Sequence, residues 1–288
     1  MPTITTNTAA NSALRFLNAN STASGKAISK LASGSRIVTA ADDAAGLAIG
    51  TRLRADSSVL QQASVNAAQG AAVMQVADGG LGRIADVLIR MKSLAAQSLS
   101  GVPTNTERGF INAEYNQLIS EISGMAASTR FNGESLLDGT GTQFGAGTVN
   151  FFVGVTTADV IAVNIASLSA TASDFTAGSL ATGGTAISAT SVSTAASATT
   201  AMASVDLAIN EVSEARANLG SIISRFEFRG QQVATSKENI DAAKSSVMDV
   251  DLAAEQSRLV SSQVLVQASV SALSQANQLP QTLLSLLQ

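Results

Sequence analysis

The sequence predicts a mainly α fold: a long antiparallel heptad helical bundle, or rod, with a terminal helix pair and a small Gly-rich β-hairpin and variable insertion. Three observations carry this. Only three prolines occur in 288 residues, Pro2, Pro103 and Pro280, leaving long intervals free of helix breakers. Two separated stretches repeat apolar residues every seven positions. Between them the period changes to short β-like runs and then to Ser, Thr, Ala and Gly.

In chain order, Leu14, Leu17, Ile28 and Leu31 sit at heptad positions, with Ser21 and Ser24 as a weak middle layer. Next, Thr39 stands three residues before Asp42, and Asp42-Asp43 place negative charge at the positive end of a helix dipole. Adjacent carboxylates on a helix point in different directions, so capping explains them better than paired acid–base chemistry. From Asp43 to Leu99 one line runs through Leu53, Leu60, Ala67, Met74, Leu81, Leu88 and Ala95. A second runs through Ile49, Ala63, Ala77, Ile84 and Met91, with Asp56 and Gly70 as imperfections. At ~1.5 Å per residue such a helix is on the order of 80 Å long.

After Pro103, Thr104 and Glu107 have capping-box spacing, and Ile111, Tyr115, Leu118, Ile122 and Met125 form the stripe of a second, antiparallel helix. Asn132-Gly133 signals a turn. Val149 to Val155 and Val160 to Ile165 read as a hairpin. Gly139-Thr140-Gly141 lacks the lysine and the strand–helix setting of a phosphate loop. From Ala166 to Ser204 the low complexity predicts a loop, a small β-elaboration or a flexible surface. The returning arm repeats Val205, Val212, Leu219, Phe226, Val233, Ile240 and Val247, accompanied by Ala208, Ala215, Ile222, Ala243 and Val250. Past Asp251 the phase changes to Leu252, Leu259, Val266 and Leu273, while Val260, Val264 and Leu265 lie on other faces. A helix apolar on several sides has several partners.

The two arms therefore pack together, giving three parts. Residues 1–42 with 251–288 form the terminal pair. Residues 43–165 with 201–250 form the rod and its hairpin, and 166–200 form the outer insertion.

Composition narrows the function. Without His or Cys there is no imidazole or thiolate metal site, no Ser-His-Asp or Cys-His nucleophile and no disulfide. No catalytic residues and no cofactor are expected, and an enzyme is disfavoured. A net charge of −4 argues against nucleic acid. The uncharged stretch after Arg258 is too rich in Ser and Gln to span a membrane, and no cleavable signal peptide is apparent. A mean hydropathy of +0.25 is then best accounted for by self-association, with Leu14, Leu17, Ile28, Leu31, Leu252, Leu259, Val266 and Leu273 as its candidate residues.

Several motifs together resemble bacterial flagellin. Leu31-Ala32-Ser33-Gly34-Ser35-Arg36-Ile37 followed by Ala41-Asp42-Asp43-Ala44-Ala45-Gly46-Leu47-Ala48-Ile49 is similar to its N-terminal signature. Thr129-Arg130-Phe131-Asn132-Gly133, Leu136-Leu137-Asp138-Gly139 and Arg216-Ala217-Asn218-Leu219-Gly220 are similar to its inner motifs. The segment from Gln267-Ala268 through Gln275-Ala276-Asn277-Gln278-Leu279-Pro280-Gln281 to Leu286-Leu287 is similar to its ending. The resemblance implies a subunit of the helical flagellar filament that serves swimming motility. It further implies export without a cleaved signal by the flagellar type III apparatus and an extracellular location. Termini disordered in the monomer and ordered on assembly are also implied.

Implied partners are other copies of the chain, hook-associated and filament-cap proteins and an export chaperone. Arg90, Leu94 and Glu114 match positions where the family meets the vertebrate innate receptor, toll-like receptor 5. Ile89 and Ser93 depart, standing where receptor-active members tend to have Gln and Glu; Arg90 and Glu114 read equally well as solvated or subunit-contacting charges. A hook–filament junction protein, which shares the terminal helices, is the alternative. A soluble coiled-coil adaptor would have no use for the β-insertion. The zinc protease carried by some flagellins requires the His this chain lacks.

Overall fold

The computed structural model describes residues 7–140, 144, 147–165, 175–181 and 184–285, with side chains to 278. Its elements are α1 (Thr8–Ser33), α2 (Ala44–Leu99), α3 (Asn105–Ser128), β1 (Arg130–Phe131), β2 (Glu134–Ser135), β3 (Val149–Phe152), β4 (Val160–Val163), a 3-10 turn (Ile187–Ala189), α4 (Ala195–Met248) and α5 (Leu252–Ser285). The chain divides into two compact units, one of residues up to 57 together with those from 238 onward, the other of residues 58–237.

In the second unit the heptad is realised residue by residue. Leu60, Ala63, Ala67, Gly70, Met74, Ala77, Leu81, Ile84, Leu88, Met91, Ala95 and Ser98 are all buried on α2, at steps of three and four. On α4 the matching line is Ala198, Ala201, Val205, Ala208, Val212, Ala215, Leu219 and Phe226. Salt bridges Lys92–Asp206 (2.5 Å) and Arg216–Asp78 (2.8 Å) fix the two helices as antiparallel. The α3 stripe packs on this pair through buried Tyr115, Ile122 and Ala126. Its start is a capping box in which the Glu107 N–H donates to the Thr104 hydroxyl and the Glu107 carboxylate accepts from the Thr104 N–H at 2.7 Å.

Asn132 (φ 50°) and Gly133 (φ 83°) make the two-residue left-handed turn between β1 and β2. The expected second hairpin is β3–β4, with Val149 opposite Val163 and Phe152 opposite Val160. Its loop is tied by Asp159, whose carboxylate accepts from the Thr156 N–H (2.9 Å) and hydroxyl (2.8 Å).

Three expectations need correction. First, the segment read as a loop, a small β-elaboration or a flexible surface is loop and one 3-10 turn over its described part before Ala195, but it is not confined to the surface: Phe175, Leu180, Ile187 and Val192 are buried. Among the described residues up to 194, these large side chains turn inward, which composition averages conceal. Helix α4 also begins at Ala195, inside that segment; residues 166–174 and 182–183 of it lie outside the described residues. Second, the heptad lines slip in the first unit. Ile49 is 54% exposed and Ala243 is exposed, while Gly46, Gly50 and Ser57 are buried. The slip follows from two contacts: Met248 packs onto Gly50, and Ser57 donates to the Asp241 carboxylate at 2.8 Å. Third, the two acids before α2 divide their work. Asp43 is the cap, accepting from the Gly46 N–H at 2.8 Å. Asp42 turns back to accept from the Thr39 N–H (3.1 Å), the Thr39 hydroxyl and the Val38 N–H. The Thr39 backbone bond is the main reason its carboxyl titrates below the usual range.

Candidate self-assembly surface

Helices α1 and α5 form the element on which the candidate assembly residues lie. Asn7 starts α1, its side chain accepting from the Ala10 N–H at 3.0 Å, and Gly34 ends it in the left-handed region at φ 67°. Asp251 starts α5 by accepting from the N–H groups of Ala253 (3.0 Å) and Ala254 (3.1 Å). The helices run antiparallel. The Asn7 amide donates to the Ala276 carbonyl at 2.8 Å, that of Asn20 to the Ser269 hydroxyl at 3.5 Å, and the Val250 N–H to the Gly34 carbonyl at 3.1 Å.

Their seam is a heptad of thin layers. On α1 the inward line is Ala10, Ala13, Leu17, Asn20, Ser24, Ala27 and Leu31; on α5 it is Glu255, Leu259, Ser262, Val266, Ser269, Leu273 and Ala276. Only Ala27, Glu255 and Ala276 of these are fully buried. Glu255 accepts from Arg258 at 3.2 Å, so its charge is partnered where it leaves water.

The structure thus sorts the eight sequence candidates into two sets. Leu17, Leu31, Leu259, Val266 and Leu273 are half-buried in the seam within the subunit. Leu14 (45% exposed), Ile28 (51%) and Leu252 (58%) face away from it. Beside them stand Phe16, Val260, Val264, Leu265 and Val270, all at least 48% exposed and carrying most of the outward apolar surface. The signal for three of these was the off-phase apolar positions of α5. Phe16 was legible only as an aromatic one place outside the heptad line.

The three receptor-matching residues do not form one surface. Arg90 and Glu114 pair on α2 and α3 through two hydrogen bonds of 3.0 and 2.6 Å, with Ile89 and Ser93 exposed beside them. Leu94 is 2% exposed and belongs to the core, because its place beside Ala95 and Met91 turns it toward the bundle interior. No group of three acidic side chains that could hold a metal occurs among the described residues, and none of their helices is long and apolar enough to cross a membrane.

Known proteins agree with this architecture at both ends of the chain. Residues 4–142 match the bacterial flagellin N-terminal helical region, and residues 202–287 match the bacterial flagellin C-terminal helical region. A flagellin of Bacillus subtilis is 37% identical over 298 residues, covering 98% of each chain. One of Listeria monocytogenes is 37% identical over 94% of each. A 33 kDa flagellar filament core protein of Treponema phagedenis is 34% identical over 91% of each. A solved structure of a flagellar hook-associated protein from Vibrio parahaemolyticus shares the fold, with a TM-score of 0.57, 72% of this chain and 100% of that chain covered, but only 14% identity. That likeness is one of architecture, so the junction-protein alternative is not favoured over relatives alike from end to end. With both helical regions matched and such relatives spanning nearly the whole length, the chain belongs to the bacterial flagellin family, the structural and non-enzymatic subunits of the flagellar filament.

Proposed function

We propose that the chain polymerises through the outward faces of α1 and α5. The carrying observation is a set of eight large apolar side chains on this one helix pair, each between 45% and 66% exposed in the subunit: Leu14, Phe16, Ile28, Leu252, Val260, Val264, Leu265 and Val270. A helix pair wetted on so much apolar surface gains free energy when copies cover one another, at roughly 25 cal/mol per Å² removed from water. The remaining outward residues are mostly Ser, Gln, Asn and Ala, which neighbouring helices bury without desolvating ions. An interface that pairs different patches on successive copies propagates as an open helix rather than closing as a dimer.

On this reading the subunit leaves the cell through the flagellar type III apparatus, held beforehand by an export chaperone. It then adds to a filament bounded by hook-associated and cap proteins. Receptor recognition, where it occurs, uses the exposed Arg90–Glu114 pair without Leu94.

The test is seeded growth of the variant Val264→Asp. Val264 is 61% exposed, so the monomer should keep its wild-type melting transition. Filament growth on wild-type seeds should be lost in electron micrographs. Wild-type growth of this variant would overturn the reading.

A further inference from the structure

A joint in the first unit brings together two segments that sequence motifs had placed far apart. The carbonyl of Met248, the last residue of α4, accepts the Arg36 N–H at 2.6 Å and the Ser35 hydroxyl at 3.1 Å. The Arg36 guanidinium donates to the neighbouring Val247 carbonyl at 2.8 Å. The Met248 side chain lies against Gly50 of α2, and its thioether sulfur occupies the space a Cβ there would take. One residue therefore pins the α1–α2 connection by its backbone and packs on α2 by its sulfur.

Met248 as a residue is partly exposed to solvent. Met74 and Met91 are fully buried, whereas Met248 is only half-buried. Met125 and Met202 are also half-buried, and they pack on the core of the second unit.

From this geometry we infer that Met248 is an oxidative modification site for peroxide-class oxidants, at which sulfoxide formation opens the joint. The peroxide transfers one oxygen to the thioether, which is oxidised by two electrons to the sulfoxide, and the peroxide is reduced to water. The product is polar and bulkier, and it stands where a slim apolar thioether packed in close contact with Gly50. Arg36 and Ser35 then lose their fixed acceptor. The joint lies in the unit that presents the assembly faces, but the test below reads the monomer and stands apart from polymerisation.

Monomer is treated with hydrogen peroxide, Met248 oxidation is followed by peptide mass, and trypsin cleavage after Arg36 reports joint opening. Oxidised wild type should be cut at Arg36 roughly tenfold faster than untreated protein. A methionine sulfoxide reductase should restore the slow rate. Met248→Leu, of similar volume, should keep the untreated wild-type rate after peroxide, and Met248→Gln should be fast without it. Absence of oxygen at Met248 under doses that oxidise a free methionine peptide would overturn the inference. So would unchanged Arg36 cleavage after full oxidation, or equal acceleration in Met248→Leu.

Discussion

Gly70 of α2 lies directly against the ring of Phe226 on α4, and that ring meets Phe151 of β3 edge-on, with centroids 5.2 Å apart. One aromatic thus joins both long helices to the β3–β4 hairpin, and it fits only because the facing helix position lacks a side chain. A Cβ at Gly70 would stand 2.5 Å from the Phe226 Cε1 atom. Phe226 is 1% exposed and has nowhere to retreat. Gly70→Ala should gain about 1 kcal/mol of helix propensity. Overpacking should nevertheless destabilise the protein by about 1–3 kcal/mol net. Denaturant unfolding measures this, and the double variant with Phe226→Leu should recover part of the loss. A Gly70→Ala protein as stable as wild type would contradict the fit described.

The same pair shows what was legible from sequence. Phe226 was placed on the heptad line, because an apolar residue every seventh position needs no partner to be recognised. Gly70 reads as an imperfection, because its role lies in a side chain on another element, 156 positions further along the chain. Ile49 and Ala243 were misplaced for a related reason: periodicity assumes a constant register, and the register slips where Met248 and Ser57 make specific contacts. Family motifs located the proposed assembly helices. They did not separate Leu273, on the seam, from Val264, which faces out, since both are apolar positions of one helix.

Tyr115, the only tyrosine, is fully buried on α3. Thr190 donates to the Ile187 carbonyl at 2.7 Å, so the phenol is the donor in the 2.9 Å bond to the Thr190 hydroxyl. With the Val192 N–H donating to the Asn112 side chain at 2.8 Å, this bond ties α3 to the segment preceding α4. Tyr115→Phe should cost about 1 kcal/mol, the usual net worth of such a bond. Burial raises the phenol above its ordinary value despite the bond to Thr190. With the folded value above the unfolded one, this group's stabilisation is complete below about pH 10 and is lost as pH rises toward the folded value. Alkaline melts should therefore show a loss in wild type that Tyr115→Phe lacks. Tyrosinate absorbance of the native protein should rise only above the range of free tyrosine, and a normal titration would refute the burial argument.

Local stability should differ sharply between the two units. The α1–α5 seam buries Ala27, Glu255 and Ala276 fully, whereas the second unit buries Leu81, Ile84, Leu88, Tyr115, Ile122 and Phe226 among many others. Conformational entropy of the terminal helices is then opposed by little apolar burial. Amides of residues 10–31 and 255–276 should exchange in the monomer well before those of 81–95. In the filament the order should invert toward protection of the termini. Equal protection in the monomer would contradict the thin-seam account.

Charge placed at Leu273 and at Val264 should have different consequences, although the positions lie on one helix. Leu273 is half-buried in the seam, about one helical turn beyond Ser269, which pairs with Asn20, and Val264 is 61% exposed. An aspartate at 273 removes apolar surface from the seam and puts a carboxylate where a half-buried leucine stood. Leu273→Asp should therefore speed amide exchange across α1 in the monomer and also block growth. Val264→Asp should block growth while leaving monomer exchange at the wild-type rate. Exchange measured on both monomers, beside seeded growth, separates the seam from the outer face. If the two variants behave alike in the monomer, the division of α5 into an inner and an outer apolar line fails.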